Sequence, residues 1–169
     1  LGSGGSSSRT VFLPYLSGQS RLTDQQKKLV GQIAKGMKGA PDWKLEITPV
    51  MSDAGDSEAL HQKTYSGLLR VVQSTLPESE RSREKAVNAL FALQFPDDKT
   101  TESLADKESK LYEAVKPDFS GMADLADSRS RRLARSITEA GVPEKRIFIT
   151  APDFDKKSSQ GGIRLKFIK

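Results

Sequence analysis

The 169-residue sequence has no cysteine and a single histidine, His61. Those absences exclude disulfide scaffolds, thiolate-held zinc, iron–sulfur clusters, thiol catalysis and any site that needs two imidazoles. No apolar run approaches the roughly 20 residues that span a bilayer as a helix. The glycines at 18, 31, 36, 39, 55, 67, 121, 141, 161 and 162 never take the spacing of a phosphate-cradling loop, and no Gly-x-Ser-x-Gly elbow exists. What is present is 36% hydrophobic and 29% charged, a polar but globular composition. Its length suits one core with one sizeable insertion.

The net charge of +5 is uneven. Residues 1–50 and 121–169 are basic, whereas 51–120 carry 13 acidic against 9 basic groups, as an insertion in a continuous basic domain would. Residues 1–8 (Leu1-Gly-Ser-Gly-Gly-Ser-Ser-Ser8) have flexible-linker composition, either an added leader or a tether to something upstream, and are left out of the fold.

Arg9 to Tyr15 is β-branched and aromatic and reads as a first strand. Thr23 with Gln26 three residues on forms a capping box, and Leu29, Val30, Ile33, Ala34 and Met37 line one face of the helix it opens, which ends near residue 39. Trp43 to Val50 alternates as a half-buried strand, followed by a polar turn from Met51 to Asp56. Helical patterns then run over 57–76, 83–95 and 101–115, closed in turn by Pro77, Pro96 and Pro117. A further helix spans 125–140, with Leu125, Leu133 and Ile137 towards the core and Gly141 in the favoured position just past its end. Arg146 to Thr150 is nearly continuous in apolar residues and predicts a strand covered on both faces. Residues 155–162 form a polar, mobile loop before the alternating strand 163–169. The aromatic positions Phe12, Trp43, Phe148 and Phe167 are expected in the core. Together these predict an α/β protein of the α+β sandwich kind, a β-α-β-α-β core with a mixed sheet, an extra C-terminal strand and a helical insertion at about 77–119.

Few residues offer chemistry. His61 lies four residues from Ser57, but nothing else completes a nucleophile–base arrangement, and a surface or helix-cap role is expected. Asp53, Asp56 and Glu58 imitate the start of a calcium loop without its spacing or terminal glutamate, so an acidic turn capping the next helix is expected and no metal. Arg129, Arg131, Arg132 and Arg135 form the densest basic cluster, read as a solvated face with ion pairs to Asp124 and Asp127. No aromatics interleave it as single-strand nucleic-acid platforms require.

Several segments resemble the OmpA-like domain, which anchors envelope proteins to peptidoglycan. They are the Phe-containing first strand, Ser20-Arg-Leu-Thr-Asp24-Gln-Gln-Lys at the first helix, Trp43 to Thr48 before an Asp/Gly turn, and Leu125-Ala-Asp-Ser-Arg129 ahead of Gly141-Val-Pro-Glu-Lys-Arg146-Ile147. In that family an Asp after the second strand and an Arg on the later helix hold the two ends of diaminopimelate. The resemblance carries these roles to Asp53 and Arg129, with Asp56 and Arg132 beside them as candidate ligand residues. Pro49-Val-Met-Ser52 replaces the family's Gly-His-Thr-Asp-like run, which implies a degenerate pocket. The order of segments, with Leu45-Glu-Ile-Thr-Pro49 and Asp53 to Leu60 ahead of a helical insertion, is similar to the C-terminal domain of unknown function of AsmA-related Gram-negative envelope proteins.

The resemblance implies a non-catalytic, periplasmic structural or interaction domain of a longer protein anchored to the membrane upstream. Peptidoglycan or another envelope protein is the expected partner; no cofactor and no nucleic acid are expected. Three alternatives stay open: a peptidoglycan-binding module using Asp53 and Arg129, an enzyme at the crevice beyond the strand ends, and a nucleic-acid binder using Arg129 to Arg135.

Overall fold

Strand and helix signals in the first third of the chain translate directly into structure. In the computed structural model, which describes residues 8–115 and 119–169, Thr23 caps helix α1 (Asp24–Gly39) with a complete capping box. The Gln26 amide N–H donates to Thr23 Oγ1 at 3.2 Å, and the Thr23 amide donates to Gln26 Oε1 at 2.7 Å. Strand β1 (Ser8–Pro14) precedes α1 and β2 (Lys44–Ser52) follows it. The strand runs on through Met51 and Ser52, correcting the expected turn there, because both side chains are buried. The polar turn is instead a π-helical winding over Asp53–Ser57.

Helix α5 (Phe119–Glu139) starts six residues earlier than its pattern suggested. It ends in a Schellman arrangement: Val142 N–H donates to the Ile137 carbonyl at 3.3 Å and Gly141 N–H to that of Thr138 at 2.9 Å, with Gly141 at φ +100°. Three strands follow, β3 (Ile147–Ile149), β4 (Asp153–Asp155) and β5 (Gly162–Ile168). The sheet order is β1-β5-β2-β3, with β4 also paired to β2. The last strand thus enters between the first two, antiparallel to both, while β3 and β4 pair in parallel with successive stretches of β2. Ser8 is already paired with Ile168; the rest of the expected linker, and Pro117, lie outside the described residues.

This arrangement is a mixed α/β structure with a five-stranded sheet. Chain contacts divide it into two units, the described residues 8–57 with 119–169, and 58–115. In the first, one sheet face supplies Leu13, Leu45, Ile47, Ile163 and Leu165 to a core with Val30, Ala34 and Met37 of α1 and Leu133 and Ile137 of α5. The opposite face explains a correction. Phe12 and Phe148 lie there 45% and 47% exposed, and on the core side Ile149, in register with Ile47, is 48% exposed, so neither aromatic is in the core and β3 is not covered on both sides. Trp43 and Phe167 are half-buried. Arg146 fastens the end of α1 by donating to the carbonyls of Met37, Ala40 and Trp43 at 2.6–2.9 Å, as a cation at a helix C-terminus should.

The second unit packs α2 (Glu58–Thr75), α3 (Arg83–Gln94) and α4 (Leu104–Ala114) around Tyr65, Leu69, Val87, Leu90, Phe91 and Leu111. Ser82 and Ser103 cap α3 and α4 through their side-chain oxygens. Among the described residues no helix is long and apolar enough to cross a membrane.

Candidate functional site

The buried stripe of α5 runs Met122, Leu125, Ala126, Arg129, Ser130, Leu133, Ile137. Arg129 therefore occupies a core position, one turn from leucines on either side, and its side chain is 0% exposed. An unpaired guanidinium there would cost several kcal/mol. It is not unpaired. Nη2 and Nη1 donate to Asp56 Oδ1 and Oδ2 at 2.7 and 2.9 Å, a two-pronged ion pair. Nε donates to the Gln19 carbonyl at 2.7 Å and Nη2 also to that of Leu16 at 3.1 Å. Met51 Sδ, 3.9 Å from Nη1, faces the remaining N–H. All five donors of the fork are thus directed at acceptors.

Asp56 is equally saturated. Besides both arginine nitrogens, Oδ1 accepts the Gly18 amide at 3.0 Å and Oδ2 the Ser52 amide at 3.1 Å. Its four lone-pair directions are filled, and the carboxylate too is 0% exposed. Tyr15 lies with its ring centre 5.0 Å from the guanidinium carbon, a cation–π contact inside the same enclosure. The Tyr15 hydroxyl is buried without a hydrogen-bond partner, and burial pushes its pKa up to about 12 against the opposing pull of Arg129.

The segment before β5 closes the site. The Tyr15 amide donates to the Gly161 carbonyl at 3.0 Å, and the Ser52 hydroxyl donates to the Ser158 carbonyl. A Cβ on Gly161 would stand 1.9 Å from Asp56 Oδ2, and one on Gly55 would stand 2.7 Å from the Ser159 carbonyl. The stretch expected to be a mobile loop is packed onto the ion pair closely enough to require glycine at both places. Gly18, with φ +68°, turns the 16–19 segment so that its amide meets Asp56 while the carbonyls of Leu16 and Gln19 meet Arg129.

Of the four candidate ligand residues, the structure brings Asp56 and Arg129 together. Asp53, at the start of the π-helical turn, and Arg132 are exposed and take no part in the pair. Within the basic cluster only Arg131 makes the expected local ion pair, to Asp127 at 2.7 Å. Sequence reasoning did not single out Ser52, Gly18, Gly55, Gly161 or Tyr15 for this site. The available signal was the missing apolar residue at 129 between Leu125 and Leu133.

His61 serves packing in the helical unit. Its ring stacks on Tyr112 at 3.9 Å between centres, and Nε2 donates to the Tyr112 carbonyl at 2.8 Å near the end of α4. Tyr112 in turn donates its hydroxyl to Glu58 at 2.5 Å. Desolvation, then the hydrogen bond to Glu58 and its charge, raise the tyrosine pKa to about 12. Among the described residues no three acidic or histidine side chains gather as a metal-holding group. No family model matches the chain, and no curated protein matches it either.

Proposed function

We propose that the chain is a non-catalytic structural or interaction domain of a periplasmic envelope protein, an OmpA-like module whose ligand pocket is occupied by its own carboxylate. One observation supports this above all: Arg129, the position to which the resemblance assigns ligand binding, is buried and already receives a two-pronged carboxylate from Asp56. A stem-peptide carboxylate would bring the same chemistry to the same nitrogens, so Asp56 stands where that ligand group would go. The four filled acceptor directions of Asp56 and the glycine-tight cover of Gly161 leave neither member of the ion pair waiting for a partner. Interaction with other envelope components then falls to the surface of the domain.

Co-sedimentation with purified sacculi tests the reading. The wild-type chain is expected to stay in the supernatant, as is Asp53→Ala, an exposed change that leaves the ion pair intact. Retention of the wild type that Asp53→Ala abolishes would establish a working pocket and overturn the proposal.

A further inference from the structure

A cavity of about 390 Å³ opens between the C-terminal half of α1 and the β1/β5 edge of the sheet, within the roughly 300–1,000 Å³ of small-molecule sites. Its walls are apolar: Val11 and Phe167 from the strands, Leu29, Ile33 and Met37 from α1, and Trp43. The one charged residue lining it is Arg9. Arg9 sits opposite Phe167 in the sheet register, two residues before Val11 and four before the buried Leu13, so it lies at the end of the core-facing row of β1. Among the described residues its side chain has no ion pair or hydrogen bond, and no acidic side chain lines the cavity. An apolar slot with a single unneutralised cation complements a molecule with an apolar body and one negative end.

We propose that this cavity binds a single-chain aliphatic carboxylate, with the chain against Trp43 and Phe167 and the head at Arg9. The space results in part from Gly36, whose missing side chain opens on the cavity. A Cβ there meets no atom within 4 Å, and the backbone is ordinary helix. Gly31 and Gly39 of the same helix also face open space, so glycine alone does not mark the site; Gly36 is the one of the three that lines the cavity. The site is separate from the Asp56–Arg129 pair and does not depend on how that pair is read.

Trp43 is the only tryptophan in the chain and lines the cavity, so its emission reports occupancy without a label. Titration of the full chain with dodecanoate, below its micelle concentration, is expected to shift that emission saturably. Dodecyltrimethylammonium and dodecanol, with the same chain and no negative head, are expected to bind about tenfold more weakly, the worth of one charge-assisted hydrogen bond. Arg9→Gln should remove that preference and leave dodecanol binding as it was. Gly36→Leu should fill the slot and abolish the response to dodecanoate while the circular dichroism melt is unchanged or higher. Absence of any Trp43 response, equal affinity for all three amphiphiles, or a response that survives Gly36→Leu would each overturn the proposal. Dimerisation of the free chain that Gly36→Leu disrupts would assign the cavity to a second copy and would overturn it as well.

Discussion

Replacing Asp56 by alanine tests whether the Arg129 enclosure is closed to water. The change removes four accepted hydrogen bonds at once. Arg129 keeps the carbonyls of Gln19 and Leu16 but loses its only counter-charge, and the amides of Gly18 and Ser52 are left without acceptors. An orphaned buried amide costs about 1–3 kcal/mol, and breaking a buried ion pair from one side about 3–5 kcal/mol. Against a domain stability of about 5–15 kcal/mol, the variant is expected to lose about 3–5 kcal/mol from the broken pair and more from the two amides. With an m-value of about 2 kcal/mol/M, the urea midpoint falls by about 2 M or more. Trp43 belongs to the unit that holds the pair, so its fluorescence follows that unit while far-ultraviolet circular dichroism follows both. The double variant Asp56→Ala/Arg129→Met should lose less than the two single changes added together. It should not return to wild type, because the amides of Gly18 and Ser52 and the carbonyl of Gln19 remain unpaired, while the Leu16 carbonyl keeps only the Gln19 amide. A loss below about 1 kcal/mol in Asp56→Ala would mean that water reaches these groups freely, and the closed-site reasoning would be refuted.

Other expectations are simpler to measure. Gly161→Ala places a methyl group 1.9 Å from a carboxylate oxygen held by two hydrogen bonds, and should cost about 2 kcal/mol or more of stability in the same Trp43-monitored urea titration. Gly67→Ala in α2 meets no atom within 4 Å, and should raise the thermal midpoint of the helical unit by the equivalent of about 0.5–1 kcal/mol. Tyr15 and Tyr112 both have pKa values raised from 10.0 to about 12 in the folded chain. Folding therefore disfavours the phenolates, so stability is at its full value below pH 10 and falls as pH rises through about 12. The Tyr15 share of that alkaline loss is roughly 2–3 kcal/mol; Tyr15→Phe should flatten the alkaline decline and, by removing a buried hydroxyl without a partner, leave neutral-pH stability equal or higher.

Local pattern carried the elements but not their pairing. The alternation of Leu45 and Ile47 with Lys44 and Glu46, the Thr23–Gln26 box and the Gly141 stop are signals within a few residues, and each appears in the structure as expected. The entry of β5 between β1 and β2 depends on partners more than a hundred residues apart, such as Val11 with Leu165 and Ile47 with Leu165, which no window of sequence reports. Strand β4 was missed because Asp153-Phe-Asp155 is short and polar, and it forms only as a continuation of the pairing beside β2. Phe148 and Ile149 look like core from composition but lie on a strand paired to β2 with half of each side chain in solvent. The same limit applies at the site. Asp53 and Asp56 share one acidic turn and are alike by composition. It is the π-helical winding of 53–57 that sends Asp56 inward and leaves Asp53 outside.

The position of an arginine on a helix says where a carboxylate can be received; the acceptors already around it decide whether one will be. At Arg129 the receiving geometry is intact, since Nη1 and Nη2 present a two-pronged face, and a ligand competes with a carboxylate of the same chain. Even a flexible tether gives such an internal partner an effective concentration in the millimolar range. Asp56 is held more firmly than that, by the amides of Gly18 and Ser52 and by the backbone of Gly161 against it. A displacing anion would have to exceed that concentration, supply both oxygens, and leave Asp56 either solvated or neutralised. A weakly binding soluble carboxylate supplies both oxygens but meets neither of the other conditions while the 158–161 segment stays in place. The groups around the Asp56–Arg129 pair therefore tie α5, the β2 end, the 16–19 turn and the 158–161 segment into one structure.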